Sequence, residues 1–565
     1  MFDVQKIKWQ NILFAERINR LDLISLSPTW KCRKLIINVH RNQIFEPIAS
    51  LMASYFSYLG FSINIIYSDY DDSLCFAKKS ADAHVEIIWL DYSRYLKNIN
   101  FEEFLSWFSS RLDKLREISS GPILFNNCPS HVKGHEEINN GLKKIVNNMS
   151  LVSIIDIFQI LNTVGETVYD EHLVRITKTH FSNHAWIILA KEMSLHYIAP
   201  FLIPKAKVLV LDLDNTLYDG VLGEDGINGI LITEKHRILH NHLMKLANQG
   251  FLLACCSKND QGDVERLFHE RTDLDLKKEA VSILIANWDK KSKNLLRIAQ
   301  ELNVGLESLL FVDDNVAELF EVAVSLPEVQ LIHASSPDMT LAVLQNHPAC
   351  LAQETLETDK IRAQDLNANK IREKIKENTN NVEYFKKLNM QITLFLNSRD
   401  QLTRISELST KTNQFNTTFL RLSNLDVEKR MRRNDLYNII TIHLEDMLTS
   451  SGVIGAIVFK NVHKDVIVEE ITISCRALGR GIEPIVFCES VNRLKQVVSF
   501  DRVYIPFVSG ARNLPAKSFL ESIARREQAD LYYLDLNQID SLYKEYSKLP
   551  IKRIWHKENM QHASS

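Results

Sequence analysis

The residues with the most chemistry in them are carboxylates placed where apolar runs end. In V-L-V-L-D-L-D-N-T-L-Y-D-G, residues 208–220, Asp212 and Asp214 stand two apart just past a buried-strand pattern. The chain must bend there for both to face one ion, and hard oxygen donors of this kind suit Mg2+. Three more groups follow in order, each near the end of a further strand pattern: Ser257 in C-C-S-K-N, Lys291 in N-W-D-K-K-S and Asp313 in D-D-N. A carboxylate can attack a phosphoryl group only if a cation and positive side chains neutralise the phosphate oxygens. Lys290 and Lys293 are rivals of Lys291 for that task. Taken singly, a D-x-D is a solvated turn, an S-K-N a helix cap and a D-D-N a loop. Their order on successive strands favours catalytic use.

A second set lies further on. Arg476, Gly479, Arg480 and Gly481 spell R-x-x-G-x-G between a strand pattern and a helix pattern. Glycines let backbone amides approach a phosphate, and a helix start adds a favourable dipole. With 17 Gly in 565 residues, two at that spacing stand out, although a strand-to-helix turn can need glycine for conformation alone. Cys475 directly precedes them, beside Arg476 and near the helix start, surroundings that lower a thiol pKa and favour a nucleophile. The plainer reading is a small buried residue. Cys256 is the runner-up, but strand alternation turns it away from the face that Ser257 occupies.

These side chains need elements to hold them. Before residue 200, apolar runs at Lys34–His40, Phe61–Ser68, His84–Trp89, Pro122–Asn126 and Leu151–Ile157 alternate with helical patterns, which predicts a doubly wound α/β domain over 1–200. A second α/β domain, a Rossmann-like parallel sheet, spans 205–345, with the phosphoryl-site residues at the carboxyl ends of its strands. A charged helical connector covers 346–387. A third α/β domain spans 388–555, with strands predicted at Gln391–Leu396, Gly452–Lys460 and Val466–Cys475. The segment 220–226, G-V-L-G-E-D-G, leaves room for a short flap but no large cap, so the site is expected to be open.

Composition is that of a folded chain, 45% apolar and 24% charged, with net charge −3. No basic excess points to nucleic acid. No apolar run approaches the roughly 18 residues of a membrane span, and the start lacks a signal peptide's apolar core, so a cytoplasmic location is expected. Eight cysteines without a C-x-x-C pair argue against a zinc site and against disulfides.

The order Asp212, Asp214, Ser257, Lys291, Asp313 resembles the haloacid dehalogenase (HAD) superfamily. Within it, D-L-D-N-T-L-x-x-G-V-x-G-E-D-G and F-V-D-D-N-x-A-E resemble FkbH-like proteins, as do T-K-T-N-Q-F-N-T-T at 410–418 and S-C-R-A-L-G-R-G-I-E at 474–483. The likeness covers about Ala206 to Leu494. It departs at Tyr218-Asp219, where the family has Trp-Gly, a change expected to alter substrate fit without touching the catalytic carboxylates. The resemblance implies that Asp212 forms an aspartyl-phosphate, that Asp214 is general acid and base, and that Ser257 and Lys291 hold the phosphoryl oxygens. Asp212, Asp313 and the Asp214 carbonyl would ligate Mg2+. It also implies a substrate, 1,3-bisphosphoglycerate, whose glyceryl unit is dephosphorylated and delivered to the phosphopantetheine thiol of an acyl carrier protein in polyketide-type biosynthesis. R-x-x-G-x-G resembles the pyrophosphate loop of acetyltransferase-like (GNAT) folds, with Cys475 as the expected acyl carrier residue. The first domain is similar to the SGNH hydrolase-like domain ahead of some FkbH-like proteins. Asn38-Val39-His40-Arg41 stands there in place of a G-D-S nucleophile, so that domain is expected to be non-catalytic. Two other functions fit: a plain HAD phosphatase joined to an acetyl-CoA-dependent acyltransferase, and a carrier-protein docking scaffold.

Overall fold

Continuous apolar runs such as V-L-V-L form strands buried on both faces, the condition of parallel sheets covered by helices. In the computed structural model, which describes residues 4–557 except 98, 131, 148, 150, 163–180, 352–364, 366–367, 370, 475, 511–512 and 529, ten strands build two parallel sheets, the central ones buried in this way. The first holds β1 (Arg33–Arg41), β2 (Phe61–Tyr70), β3 (Val85–Trp89), β4 (Ile123–Asn126) and β5 (Val152–Ile155), in the order β2-β1-β3-β4-β5. The second holds β6 (Val208–Leu211), β7 (Leu252–Ser257), β8 (Val281–Ala286), β9 (Leu309–Asp313) and β10 (Gln330–His333), in the order β10-β9-β6-β7-β8. β6 is central and buried along its whole length. The strand order reverses beside it, because β6 pairs with β7 on one side and β9 on the other. A crevice at the carboxyl ends of such strands is where this topology binds ligands.

Both sheets belong to one compact unit, Met1–Glu354. The sequence separates 1–200 from 205–345, but one apolar core runs from Trp9 to Cys350 and takes residues from both sheets. Gln10 Nε2 donates to the carbonyl of His333 at 2.8 Å, tying the amino-terminal helix Val4–Leu13 to the end of β10. In the first sheet, Asn38 and His40 are buried against Glu86 of β3, with His40 Nε2 2.8 Å from Glu86 Oε2. Those side chains tie two strands together.

The second unit, Thr355–Ser565, is one mixed sheet of eight strands in the order β16-β17-β15-β14-β13-β12-β11-β18. Its strands are β11 (Gln391–Leu396), β12 (Tyr437–Glu445), β13 (Ser450–Val462), β14 (Asp465–Ile473), β15 (Arg502–Pro506), β16 (Arg525–Gln528), β17 (Leu531–Asp535) and β18 (Lys552–Lys557). β11 to β14 form an antiparallel meander, whereas β15 joins β14 in parallel over Asp465–Ile467 and no further. Beyond that point the two strands part. The helix Glu483–Leu494 follows β14 and carries eight buried residues. Among the described residues, no helix is long and apolar enough to cross a membrane.

Candidate functional site

The end of β6 brings the first carboxylate to its neighbours. Asp212 follows Leu211, and its backbone amide donates to Val312 of β9 at 2.9 Å, so the sheet itself sets Asp212 beside Asp313. Lys291 opens the helix Lys291–Glu301 on its buried face. Its ammonium donates to Asp212 Oδ1 and, at 2.6 Å, to the carbonyl of Cys256, and lies 3.2 Å from Asp313 Oδ2. Lys290 is exposed, and Lys293 pairs with Asp289 at the surface. Of the three lysines, Lys291 is the one inside the site.

The electrostatics of this cluster are unbalanced. Asp212, Asp313 and Asp314 place carboxylate oxygens within 4.8 Å of one another, against the single charge of Lys291. Burial pushes the Asp212 carboxyl above its usual range, partly offset by Lys291. Burial and then the Asp212 charge push Asp313 up to about 7, and the same two causes lift Asp314 to about 6. Burial works against the charge of Lys291, yet Asp212 and Asp313 outweigh it and keep the amine protonated. Asp313 Oδ2 is buried with the Lys291 ammonium as its ion-pair partner. Three crowded hard oxygens with one cation between them fit a divalent cation such as Mg2+, whose charge would return the carboxylates to their ionised form. Asp314 was not among the metal ligands expected from sequence, although it stands in the quoted D-D-N.

Asp214 lies half-buried to one side. Its Oδ1 accepts from the Tyr218 hydroxyl at 2.7 Å and the Leu222 amide at 3.1 Å, and its Oδ2 accepts from Asn259 Nδ2 at 2.9 Å. The sequence reading placed the Tyr218-Asp219 departure away from the catalytic carboxylates. That is corrected: Tyr218 is buried and bonded to Asp214. Burial, reinforced by the charge of Asp214, raises its phenol far above the usual range, so it remains a donor.

Ser257 ends β7 and is buried. Its oxygen accepts from Asn259 Nδ2 at 2.9 Å, which leaves the hydroxyl hydrogen for another acceptor. Burial raises the neighbouring Cys256 thiol to about 12, so it is no ready nucleophile.

The short flap is fixed to this frame. Asn215 at φ 50° and Gly220 at φ 111° close a tight loop in which Gly220 N donates to Asn215 Oδ1 at 3.1 Å. A Cβ on Gly220 would also lie 2.8 Å from Asp225 Oδ2. His240 Nε2 contacts the Leu217 carbonyl at 2.8 Å, and burial lowers this histidine to about 4, so the neutral ring donates there. Arg271 Nη1 holds the carbonyls of Ile227 and Ile230 at 2.7 and 3.0 Å.

In the second unit, the expected phosphate loop has other engagements. Gly479 and Gly481 adopt φ of 79° and 73°, so the turn needs glycine for conformation. Gly479 N already donates to Glu483 Oε1 at 3.1 Å. Arg480, expected to face phosphate, is buried and turned inward: it donates to Ser451 Oγ at 3.0 Å and Asp365 Oδ1 at 3.3 Å. Arg372 shares that network through a bidentate pair with Asp446 at 2.7 and 3.0 Å. Arg476 Nη1 lies 3.9 Å from Asp365 Oδ2. Burial opposes the Asp365 charge, but the Thr449 hydrogen bond and Arg480 hold its carboxyl below the usual range. Cys475 lies outside the described residues.

The edge of β14 that β15 leaves is also occupied. Thr417 N donates to Ile471 O at 3.2 Å, Ile473 N to Phe415 O at 3.0 Å, and Val508 N to Thr417 O at 2.7 Å. Part of the T-K-T-N-Q-F-N-T-T motif therefore lies as a strand-like insert beside β14. Asn416, Thr417 and Glu470 bury its polar groups, with Asn416 Nδ2 3.1 Å from Glu470 Oε1.

No family model matches this sequence, and no curated protein does. Solved structures align with parts of it. One is the N-terminal part of a Bacteroides fragilis protein containing a phosphatase domain, complexed with Mg: identity is 22%, coverage 56% of this chain and 93% of that one, and the TM-score 0.42. Another is spermidine N-acetyltransferase from Vibrio cholerae in complex with CoA and spermine, at 14% identity, 26% and 98% coverage and a TM-score of 0.21. A domain from Methanocaldococcus jannaschii aligns at 10% identity, 26% and 99% coverage and a TM-score of 0.22. The functional reading rests on the residues described above.

Proposed function

We propose that this chain is a Mg2+-dependent phosphoryl-transfer enzyme in which Asp212 is the nucleophile. The observation that carries this is the buried cluster of Asp212, Asp313 and Asp314 around Lys291, at the point where strand order reverses. Mg2+ bound there supplies charge neutralisation at the phosphate oxygens. Asp212 Oδ attacks phosphorus, and the bond to the leaving oxygen breaks as Asp214 gives that oxygen a proton. Lys291 and the Ser257 hydroxyl hold the transferring group. Asp214, now ionised, takes a proton from water as the water attacks the aspartyl-phosphate, which releases inorganic phosphate and restores Asp212.

The finer reading is that the phosphate removed belongs to a three-carbon acyl phosphate, 1,3-bisphosphoglycerate, and that the glyceryl unit goes to the phosphopantetheine thiol of an acyl carrier protein. Its support is the FkbH-like motifs, which extend from the flap into the second unit. In this scheme the Cys475 thiolate attacks the acyl carbonyl, expelling the C1 phosphate and forming a thioester, and the carrier thiol then displaces Cys475. The remaining phosphomonoester falls to Asp212. Arg476 and the Gly479–Gly481 turn border Cys475 in sequence.

The test is to incubate the protein with 1,3-bisphosphoglycerate, Mg2+ and a holo carrier protein, and to weigh the carrier by mass spectrometry. A glyceryl adduct on the carrier and its loss in Cys475→Ala are expected. Phosphate release without a carrier adduct would leave the phosphatase and remove the transfer. An enzyme adduct that survives Cys475→Ala would remove the role of that cysteine.

A further inference from the structure

Asp214 is a side chain at a turn, and its acid function depends on where its one proton sits. A carboxylate offers about four lone-pair sites, two on each oxygen. Tyr218 and Leu222 fill both sites on Oδ1, whereas Asn259 fills one of the two on Oδ2. The site left open is on Oδ2. Two of the three donors belong to the flap, whose ends are held by His240 and Arg271. The third, Asn259 Nδ2, uses one hydrogen on Asp214 and the other on Ser257 Oγ, spanning the leaving-group side and the phosphoryl side of the site.

We propose that Tyr218 is a positioning residue for Asp214: its buried hydroxyl, with Asn259 on the other oxygen, confines the transferable proton to Asp214 Oδ2 and aims it at the leaving oxygen. This rests on the phosphoryl-transfer reading of the site. The flap is then a fixed clamp that sets the acid, rather than a lid. Neither Tyr218 nor Asn259 touches the reacting atoms; Tyr218 acts through Asp214, and Asn259 through Asp214 and Ser257.

The consequence is a dependence on the leaving group. Phenyl phosphate needs its leaving oxygen protonated, whereas 2,4-dinitrophenyl phosphate departs as a stable anion. Tyr218→Phe keeps the ring and removes the hydroxyl. It should lower kcat on phenyl phosphate by about 10–100-fold, the lower part of the range for general acid catalysis, with KM little changed. The loss on 2,4-dinitrophenyl phosphate should be at least about tenfold smaller. Asn259→Ala removes a donor from outside the flap and should show the same bias on top of a loss common to both esters through Ser257, which a Ser257→Ala control measures; this keeps the test usable if Tyr218→Phe fails to fold. Equal losses on the two esters, or no loss on either, would overturn the proposal while leaving the phosphatase in place. A wild-type protein that hydrolyses neither ester would overturn the phosphatase reading and this one with it.

Discussion

Among the described residues, each unit holds a buried cluster of charge, and the two differ in how acid and base are matched. In the first unit three carboxylates crowd one ammonium, which lies 3.2 Å from Asp313 Oδ2. In the second, Arg372, Arg476 and Arg480 face Asp365 and Asp446, with Thr449, Ser451 and Asn369 adding hydrogen bonds, although Asp365 Oδ2 and Arg480 Nε have none. The first cluster sets three carboxylates against one ammonium, whereas in the second each carboxylate meets at least two guanidiniums. Burying charge is costly unless it is paired, so the acidic excess of the first points to a missing cation, and the paired carboxylates of the second to a scaffold. By that measure Arg480 holds the fold together, although its motif suggested a ligand.

The largest effect that would break this contrast is on activity. Asp212→Asn should reduce phosphate release by about 10^4-fold or more, as expected when a nucleophile acts within a concerted set. A variant retaining activity within tenfold would remove the distinction at its root. The second unit should respond through stability instead. Arg480→Met leaves Asp365 without one of its partners and should cost about 3–5 kcal/mol in denaturant unfolding of that unit. Phosphate release by the folded protein should persist. If Arg480→Met abolishes phosphate release without loss of stability, the scaffold role is wrong.

Mg2+ should stabilise the first unit by about 2.7 kcal/mol at a hundred times its dissociation constant, read as a shift in thermal unfolding that EDTA reverses. Stabilisation lost in Asp313→Asn and kept in Arg480→Met would sharpen the comparison. The smallest effect is one of sign. Raised carboxyls favour the folded state while protonated, so the contribution of Asp313 and Asp314 is present below about pH 4 and is lost as pH rises through about 6 to 7 without metal. Asp365 is depressed, so its contribution is present above 3.8 and is lost as pH falls through its lower folded value. Unfolding monitored at pH 5 and pH 8 should therefore show the metal-free first unit weakening with pH, and Mg2+ cancelling that trend. Weakening of the second unit over the same interval would contradict the assignment.

The parts of the molecule legible in the sequence are those governed by local pattern. β6 to β9 are apolar runs because both faces are buried, and the phosphoryl-site residues fall at or just beyond their carboxyl ends by topology. The contacts of Tyr218 were not legible, because its return to Asp214 depends on a loop closed by Asn215 and Gly220 at positive φ. Asn259 appeared in the quoted C-C-S-K-N without a role, since spacing does not say which oxygens an amide will reach. In the second unit β12 and β15 to β18 went unanticipated: β16 is exposed throughout, and β18 pairs with β11 from the far end of the unit. Arg480 meets Asp365 across 115 positions, a pairing that no local motif encodes.

The most direct test of the central claim is acid-quenched trapping of a phosphoenzyme during turnover of phenyl phosphate with Mg2+, followed by peptide mapping. The account requires a phosphorylated peptide bearing the label on Asp212, absent without Mg2+ and absent in Asp212→Asn. A label on another residue, or turnover in Asp212→Asn comparable to the wild type, would contradict it.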